Sequence, residues 1–187
     1  LEDAELCCLV ETYPAKHDDL EDYLKTLKIA YLYGKTITLS NTHWPETNAK
    51  MLKNRRIGLS QSGVIQAFNK FGRRAVYEMC DKAYSFVQDL DEAYSNWLCI
   101  PKSVRMTSIK PSGTVSLLNG STPGIHYPED EYYIRRIRFS KTSNLVEKLK
   151  NSGYHVEDDK YTPNTAVVEF PVHEPYFAKG KKDVSIW

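Results

Sequence analysis

Short apolar runs alternate with stretches of helical period along this chain, and that alternation limits its fold more than any other feature. Residues 5–10, ELCCLV, read as a strand closed by Glu11, residues 56–60 as a second strand and residues 104–110 as a third. Each is separated from the next by helical segments, which is the spacing of an α/β architecture with parallel neighbours and not of a sandwich. The first helix opens at Asp18 and Asp19, keeps its period through Leu20, Tyr23, Leu24, Leu27, Ala30 and Tyr31, and is expected to stop at Gly34. Pro45 starts a short helix over 45–53, and another over 63–71 ends at Gly72. A long helix over 73–98 turns Val76, Met79, Cys80, Ala83, Tyr84, Val87, Leu90 and Tyr94 inward until Pro101 ends it. Strands at 132–139 and 166–170, and a helix at 144–151 closed by Gly153, complete the pattern.

The chain's 187 residues, 41% hydrophobic, suffice for one core, so residues 1–187 are read as a single domain. A net charge of +1 gives no global field to gather nucleic acid or an anionic membrane, so neither is expected as a partner and any bound anion must be held locally. No window approaches the roughly 18 apolar residues of a membrane span, and the acidic opening LEDAEL is unlike a signal peptide, which predicts a cytoplasmic protein. Cys7, Cys8, Cys80 and Cys99 show no C-x-x-C spacing, so no metal site and no disulfide framework is expected. The chain lacks an initiating Met and opens inside what reads as a strand, which points to a fragment.

The densest stretch is IKPSGTVSLLNGSTPGIHYP, from Ile109 to Pro128. Pro111 fixes φ, and Ser112, Gly113, Thr114 and Val115 then offer consecutive amides where the VSLL step can begin a helical turn. Amides aligned in this way suit a phosphate, with the Ser112 and Thr114 hydroxyls as extra donors. No Lys-Ser/Thr follows the glycines, so this is not a P-loop, and a plain turn explains the same residues. The second half, from Ser121 to His126, reads as a loop packed over the first.

Strand alternation sends Cys7 and Leu9 to one face, and Leu6, Cys8 and Val10 to the other. Cys8 is assigned to packing, and Cys80 and Cys99 to the core. Cys7 is either half of a redox pair or a buried thiol. His126 reads as a loop histidine, and Arg135, Arg136 and Arg138 as either a polyphosphate patch or a salt-bridged strand.

The runs SIKPSGTVSLLNGSTPGIHYPEDEYYIRRIRF, NRRIGLSQSGVIQAF and WLCIPKS closely resemble the catalytic subunit of class II, adenosylcobalamin-dependent ribonucleotide reductases. YYIRRIRFS and PNTAVVEFPV are most similar to the ribonucleoside-triphosphate reductase type. The resemblance implies a ten-stranded α/β barrel of the radical-enzyme type, of which this chain is a carboxyl-proximal piece. It implies that Pro111, Ser112, Gly113, Thr114 and Val115 hold the phosphates of a ribonucleoside triphosphate. Cys7 falls at the position of one reducing cysteine of a redox-active disulfide, with Cys8 where the family usually has Asn. The radical cysteine and its glutamate would lie before Leu1, so the piece alone is expected to be inactive. Adenosylcobalamin is the implied cofactor, suspected near residues 153–172, with thioredoxin or a similar dithiol as reductant and an allosteric nucleotide site elsewhere. A diphosphate-using reductase of class I or II and a non-catalytic nucleotide-binding module are the alternatives.

Overall fold

The computed structural model describes residues 1–110, 112 and 114–185, and divides into two compact units, Leu1–Tyr127 and Pro128–Trp187. In the first unit β1 (Cys8–Thr12) and β2 (Ile57–Gln61) pair in parallel, Cys8 opposite Ile57 and Thr12 opposite Gln61. The expected parallel crossover is supplied by α1 (Leu20–Ile37) and α2 (Pro45–Asn54). β1 starts and ends later than its apolar run, because Glu11 and Thr12 are both satisfied inside the pair. The Thr12 hydroxyl donates to Ser60 O at 2.9 Å, and the Glu11 carboxylate accepts from the hydroxyls of Ser60 and Ser62.

Asp19 caps α1 by accepting from the Asp22 amide at 2.9 Å. The helix runs past Gly34, contrary to expectation. A methyl on Gly34 would lie 3.0 Å from Val10 Cγ2 and 3.3 Å from Ile57 Cγ2, so this glycine lets the helix lie close on both strands. After α3 (Val64–Phe71) comes α4 (Arg73–Leu98), whose bounds match the expected helix. Its Met79, Ala83, Val87, Leu90 and Tyr94 pack with Tyr23, Leu27 and Tyr31 of α1 over Ile57 and Leu59 of β2. Tyr84, expected inward, is 47% exposed, and Asp91 takes a buried place instead.

The expected third strand is a single parallel bridge between Leu59 and Thr107. Backbone bonds still lay it along β2, from Ile57 N to Arg105 O at 2.9 Å, Leu59 N to Met106 O at 3.1 Å and Ser108 N to Leu59 O at 2.9 Å. The loop from Ser121 onward caps α3, with Thr122 O and Gly124 O accepting from the amides of Gly63 and Val64 at 2.8 and 3.2 Å. It touches the preceding loop where the Ser121 amide donates to Ser116 O at 2.9 Å.

The second unit is a three-stranded antiparallel sheet in the order β3-β5-β4, so the expectation of parallel neighbours fails here. β3 (Tyr132–Ser140) and β5 (Thr165–His173) pair along nine residues, and β4 (Val156–Asp158), too short to register as a periodic run, adds to β5. α6 (Asn144–Asn151) is capped by Ser143 and followed by Gly153 at φ 88. Arg136 pairs with Glu157 and Glu169, and Arg138 with Asp159 at 2.7 Å, so the salt-bridged reading of the basic strand holds for these two. Among the described residues no helix is long and apolar enough to cross a membrane. The described strands are too few to make a ten-stranded barrel; what they establish is an α/β fold.

Candidate functional site

The inward side chains of α1 and α4 pack on the Val10, Ile57 and Leu59 face of the β1–β2 pair, and the candidate site residues fall on the other. Cys8 and Thr12 are buried toward the helices, whereas Leu9 is 46% exposed and Cys7 half-buried. A methyl on Gly58 would lie 3.0 Å from Cys7 Sγ, 2.7 Å from Leu9 Cδ2 and 3.2 Å from Ser108 Cβ. Those distances put Cys7, Leu9, Gly58 and Ser108 together on the face opposite Val10, Ile57 and Leu59, and Glu11 and Ser60 continue it through their hydrogen bond. Gly58 and Ser60 are buried on this face, in keeping with a parallel pair covered on both sides.

Glu5 latches the approach to Cys7. Its carboxylate accepts from Arg56 Nε at 2.8 Å, Asn54 Nδ2 at 2.8 Å and the Glu2 amide at 2.7 Å, with its side chain fully covered. The Arg56 bond, against the opposing push of burial, holds the Glu5 carboxyl down to about 2. Its folded pKa is thus below the ordinary value of 4.5, so the stabilisation is present above 4.5 and drains away as pH falls through about 2. Denaturant midpoints measured across that window should decline for the natural protein, and Glu5→Gln should flatten that part of the profile. Burial pushes the Cys7 thiol up; the Arg56 charge draws it partly back and Glu5 adds to the rise. Cys7 therefore rests as a thiol at neutral pH.

A cavity of about 490 Å³ opens at the carboxyl ends of β1 and β2, with Thr12, Tyr23, Gln61, Cys80, Ser108 and Ile109 in its wall. Its polar side is one chain of bonds: Thr12 Oγ1 to Tyr23 OH at 2.9 Å, Gln61 Nε2 donating to Tyr23 OH at 2.8 Å, and Cys80 Sγ donating to Gln61 Oε1 at 3.5 Å. Neither Cys7 nor Ser112 lines this cavity. Ser108 links the two regions, standing over Gly58 beside the Cys7 sulfur and forming the cavity wall just ahead of the glycine-rich loop.

Within that loop Pro111 and Gly113 lie outside the described residues. Ser112 is buried, its hydroxyl accepting from the Ser116 amide at 3.0 Å, while the Ser116 hydroxyl donates to Ser112 O at 2.7 Å. The expected helical turn forms as α5 (Val115–Leu118), with Thr114 at its N-cap and Val115 exposed. Thr114 makes no side-chain capping bond. The Ser112 hydroxyl is already committed as an acceptor. Elsewhere, Cys80 is half-buried as a core thiol should be, whereas Cys99 is exposed, since the chain turns left-handed there at φ 54 to leave α4. No group of three metal-binding side chains occurs among the described residues.

The chain is similar along its whole length to larger proteins. It is 53% identical over 187 residues to a probable adenosylcobalamin-dependent ribonucleoside-triphosphate reductase of Dictyostelium discoideum, covering 100% of this chain and 25% of that protein. An adenosylcobalamin-dependent ribonucleoside-triphosphate reductase of Euglena gracilis is 48% identical, with 100% and 26% covered. The crystal structure of a B12-dependent, class II ribonucleotide reductase superposes with a TM-score of 0.81 at 32% identity, covering 95% of this chain and 29% of that one. No protein-family model matches. The chain spans about a quarter of the length of these curated relatives.

Proposed function

We propose that this chain, similar along its whole length to class II ribonucleotide reductases, is a carboxyl-proximal part of the catalytic barrel of a ribonucleoside-triphosphate reductase. The observation that carries the proposal is similarity along the whole chain joined to one piece of geometry: Cys7 and Ser108 meet over Gly58, and Ser108 leads directly into the loop 111–115. A ribonucleotide lying along this face has its phosphates at Ser112, Thr114 and Val115, together with Pro111 and Gly113, and its ribose toward Cys7. The cytoplasm, where thiols stay reduced, is the compartment that suits such a site.

The reaction replaces the ribose C2′–OH by C2′–H. Two thiols become a disulfide, supplying two electrons and two hydrogens, and the hydroxyl oxygen leaves as water. Cys7 contributes one of those thiols; its partner, the radical cysteine and the glutamate belong to other parts of the longer protein. Resting as a neutral thiol, Cys7 carries the hydrogen it must give up. Arg56 and Glu5 fix the segment that delivers it. A thioredoxin-type dithiol then reduces the disulfide.

Adenosylcobalamin, when bound, supplies the radical that starts the reaction. In the second unit a cavity of about 370 Å³ is walled by Ile134, Gly153, Tyr154, His155, Glu169 and Pro171, within or beside residues 153–172. Its wall mixes apolar side chains, Ile134, Tyr154 and Pro171, with polar ones, His155 and Glu169, a combination that fits one edge of a large amphiphilic ring. Ile134, Tyr154 and Pro171 would bear on such an edge, and His155 faces Glu169 at 3.3 Å.

The test uses the full-length protein with adenosylcobalamin and a dithiol, titrated in parallel with ribonucleoside tri- and diphosphates. Formation of deoxyribonucleoside triphosphates, with diphosphates much poorer, is the expected result. Preference for diphosphates would reassign the substrate, and nucleotide binding without reduction would identify a non-catalytic module.

A further inference from the structure

The structure assigns Gly58 the part of a positioning residue for Cys7: its missing side chain is the space in which the Cys7 sulfur sits. The inference rests on the reading of Cys7 as a reducing thiol and deepens it.

Gly58 lies inside β2, paired with Leu9 and buried. Glycine weakens a strand interior, and where it occurs there it commonly marks a close approach. Its backbone gives no other reason for the choice, since Gly58 is not among the glycines with positive φ. What approaches comes from two other stretches of chain: Leu9 Cδ2 and Cys7 Sγ from the first strand and its lead-in, and Ser108 Cβ from the segment beyond α4. A methyl would crowd all three, at 2.7, 3.0 and 3.2 Å respectively. These neighbours do not yield equally. Leu9 ends in solvent and can swing aside, while Ser108 Cβ is fixed to a backbone whose amide is bonded to Leu59 O at 2.9 Å. The sulfur hangs on one rotatable bond, so turning about that bond is its way out of the contact.

A reducing thiol has a strict need for that freedom. It must present its hydrogen toward the substrate and then turn to close a bond of about 2.05 Å with a second sulfur whose direction is set by disulfide geometry. A methyl at position 58 takes away the space that both orientations use. Gly34 provides the control, because it packs closely against the same two strands from the helix side, a methyl there meeting Val10 and Ile57 at 3.0 and 3.3 Å, neither of them on the Cys7 face.

The experiment compares natural full-length protein with Gly58→Ala and Gly34→Ala. Native-state alkylation by iodoacetamide is followed by mass spectrometry on the Cys7 peptide, with the exposed Cys99 as internal reference, and steady-state reduction is measured with a dithiol. Gly58→Ala is expected to change the relative Cys7 alkylation rate several-fold and to lower kcat about a hundredfold with KM little altered, the scale of an ångström-sized misplacement. Gly34→Ala should lower the denaturation midpoint while leaving the Cys7 rate and kcat near their natural values. An unchanged Cys7 rate in Gly58→Ala, or the same change in Gly34→Ala, overturns the assignment. Full activity of a Cys7→Ser protein would instead overturn the reading of Cys7 as a reductant, whatever the alkylation rates show.

Discussion

Replacing Asp91 with asparagine is expected to lower the free energy of unfolding by about 3–5 kcal/mol, the usual cost of stranding one member of a buried ion pair. Lys35 and Asp91 join α1 to α4 with side-chain exposures of 0% and 4% and an Nζ to Oδ1 distance of 2.6 Å. Lys35 spends its remaining donors on Ser103 Oγ at 2.9 Å and Pro101 O at 3.3 Å. Asp91 also accepts from Tyr31 OH at 2.8 Å and the Ser103 amide at 2.9 Å. Burial presses the Asp91 carboxyl upward, but the bonds from Lys35, Tyr31 and Ser103 outweigh it and hold the group below its ordinary value. Every strong polar group here has a partner, so removing one charge leaves the other in a dry core with nothing to answer it. Lys35→Met should cost a similar amount. The double variant Lys35→Met/Asp91→Asn should cost clearly less than the two single changes together, because the second removes the charge that the first left unpaired. Urea midpoints of the four proteins measure the coupling, and simple additivity would show that the pair does not act as a unit.

That network was the part of the core least legible in the sequence, although its spacing was present. Lys35 continues the four-residue step of Tyr23, Leu27 and Tyr31, and Asp91 lies between Val87 and Tyr94 on the inward stripe of α4. Charged residues at such positions normally mark the edge of a stripe, and only a partner on another helix, invisible to local periodicity, reverses that. Gly34 was misjudged for a related reason. A glycine near the end of a helical period can be a stop or a place of close approach, and the strand it approaches lies far away in sequence. Longer signals were safer: α4, bounded by Gly72 and Pro101, matched from end to end. The antiparallel sheet of the second unit depends on the pairing of β3 with β5, and its third strand, β4, has three residues, too few for a period to show. At the candidate site, alternation separated Cys7 from Cys8 correctly. Gly58 and Ser108 could not be named as neighbours of Cys7, because parallel register is fixed only when the crossover is built.

Cys7→Ser and Cys8→Ser exchange the same atom one residue apart, and they should have opposite consequences. In the full-length protein Cys7→Ser is expected to reduce kcat by about a thousandfold or more, on the scale seen when one member of a concerted catalytic set is removed. Serine has no sulfur with which to close a disulfide, so in the proposed reaction the second thiol has no partner and the pair cannot deliver its two electrons. Nucleotide binding, assigned to the loop after Ser108 in the proposal above, should persist. Cys8 lies on the helix side of β1, buried, where burial also raises its thiol pKa. Cys8→Ser puts a hydroxyl into that packing and should cost about 1–3 kcal/mol of stability unless the hydroxyl finds an acceptor, with turnover per folded molecule retained. Multiple- and single-turnover assays beside denaturation midpoints separate the two effects. Were Cys8→Ser to abolish reduction while Cys7→Ser remained active, the Cys7 face of β1 would not be where the chemistry occurs.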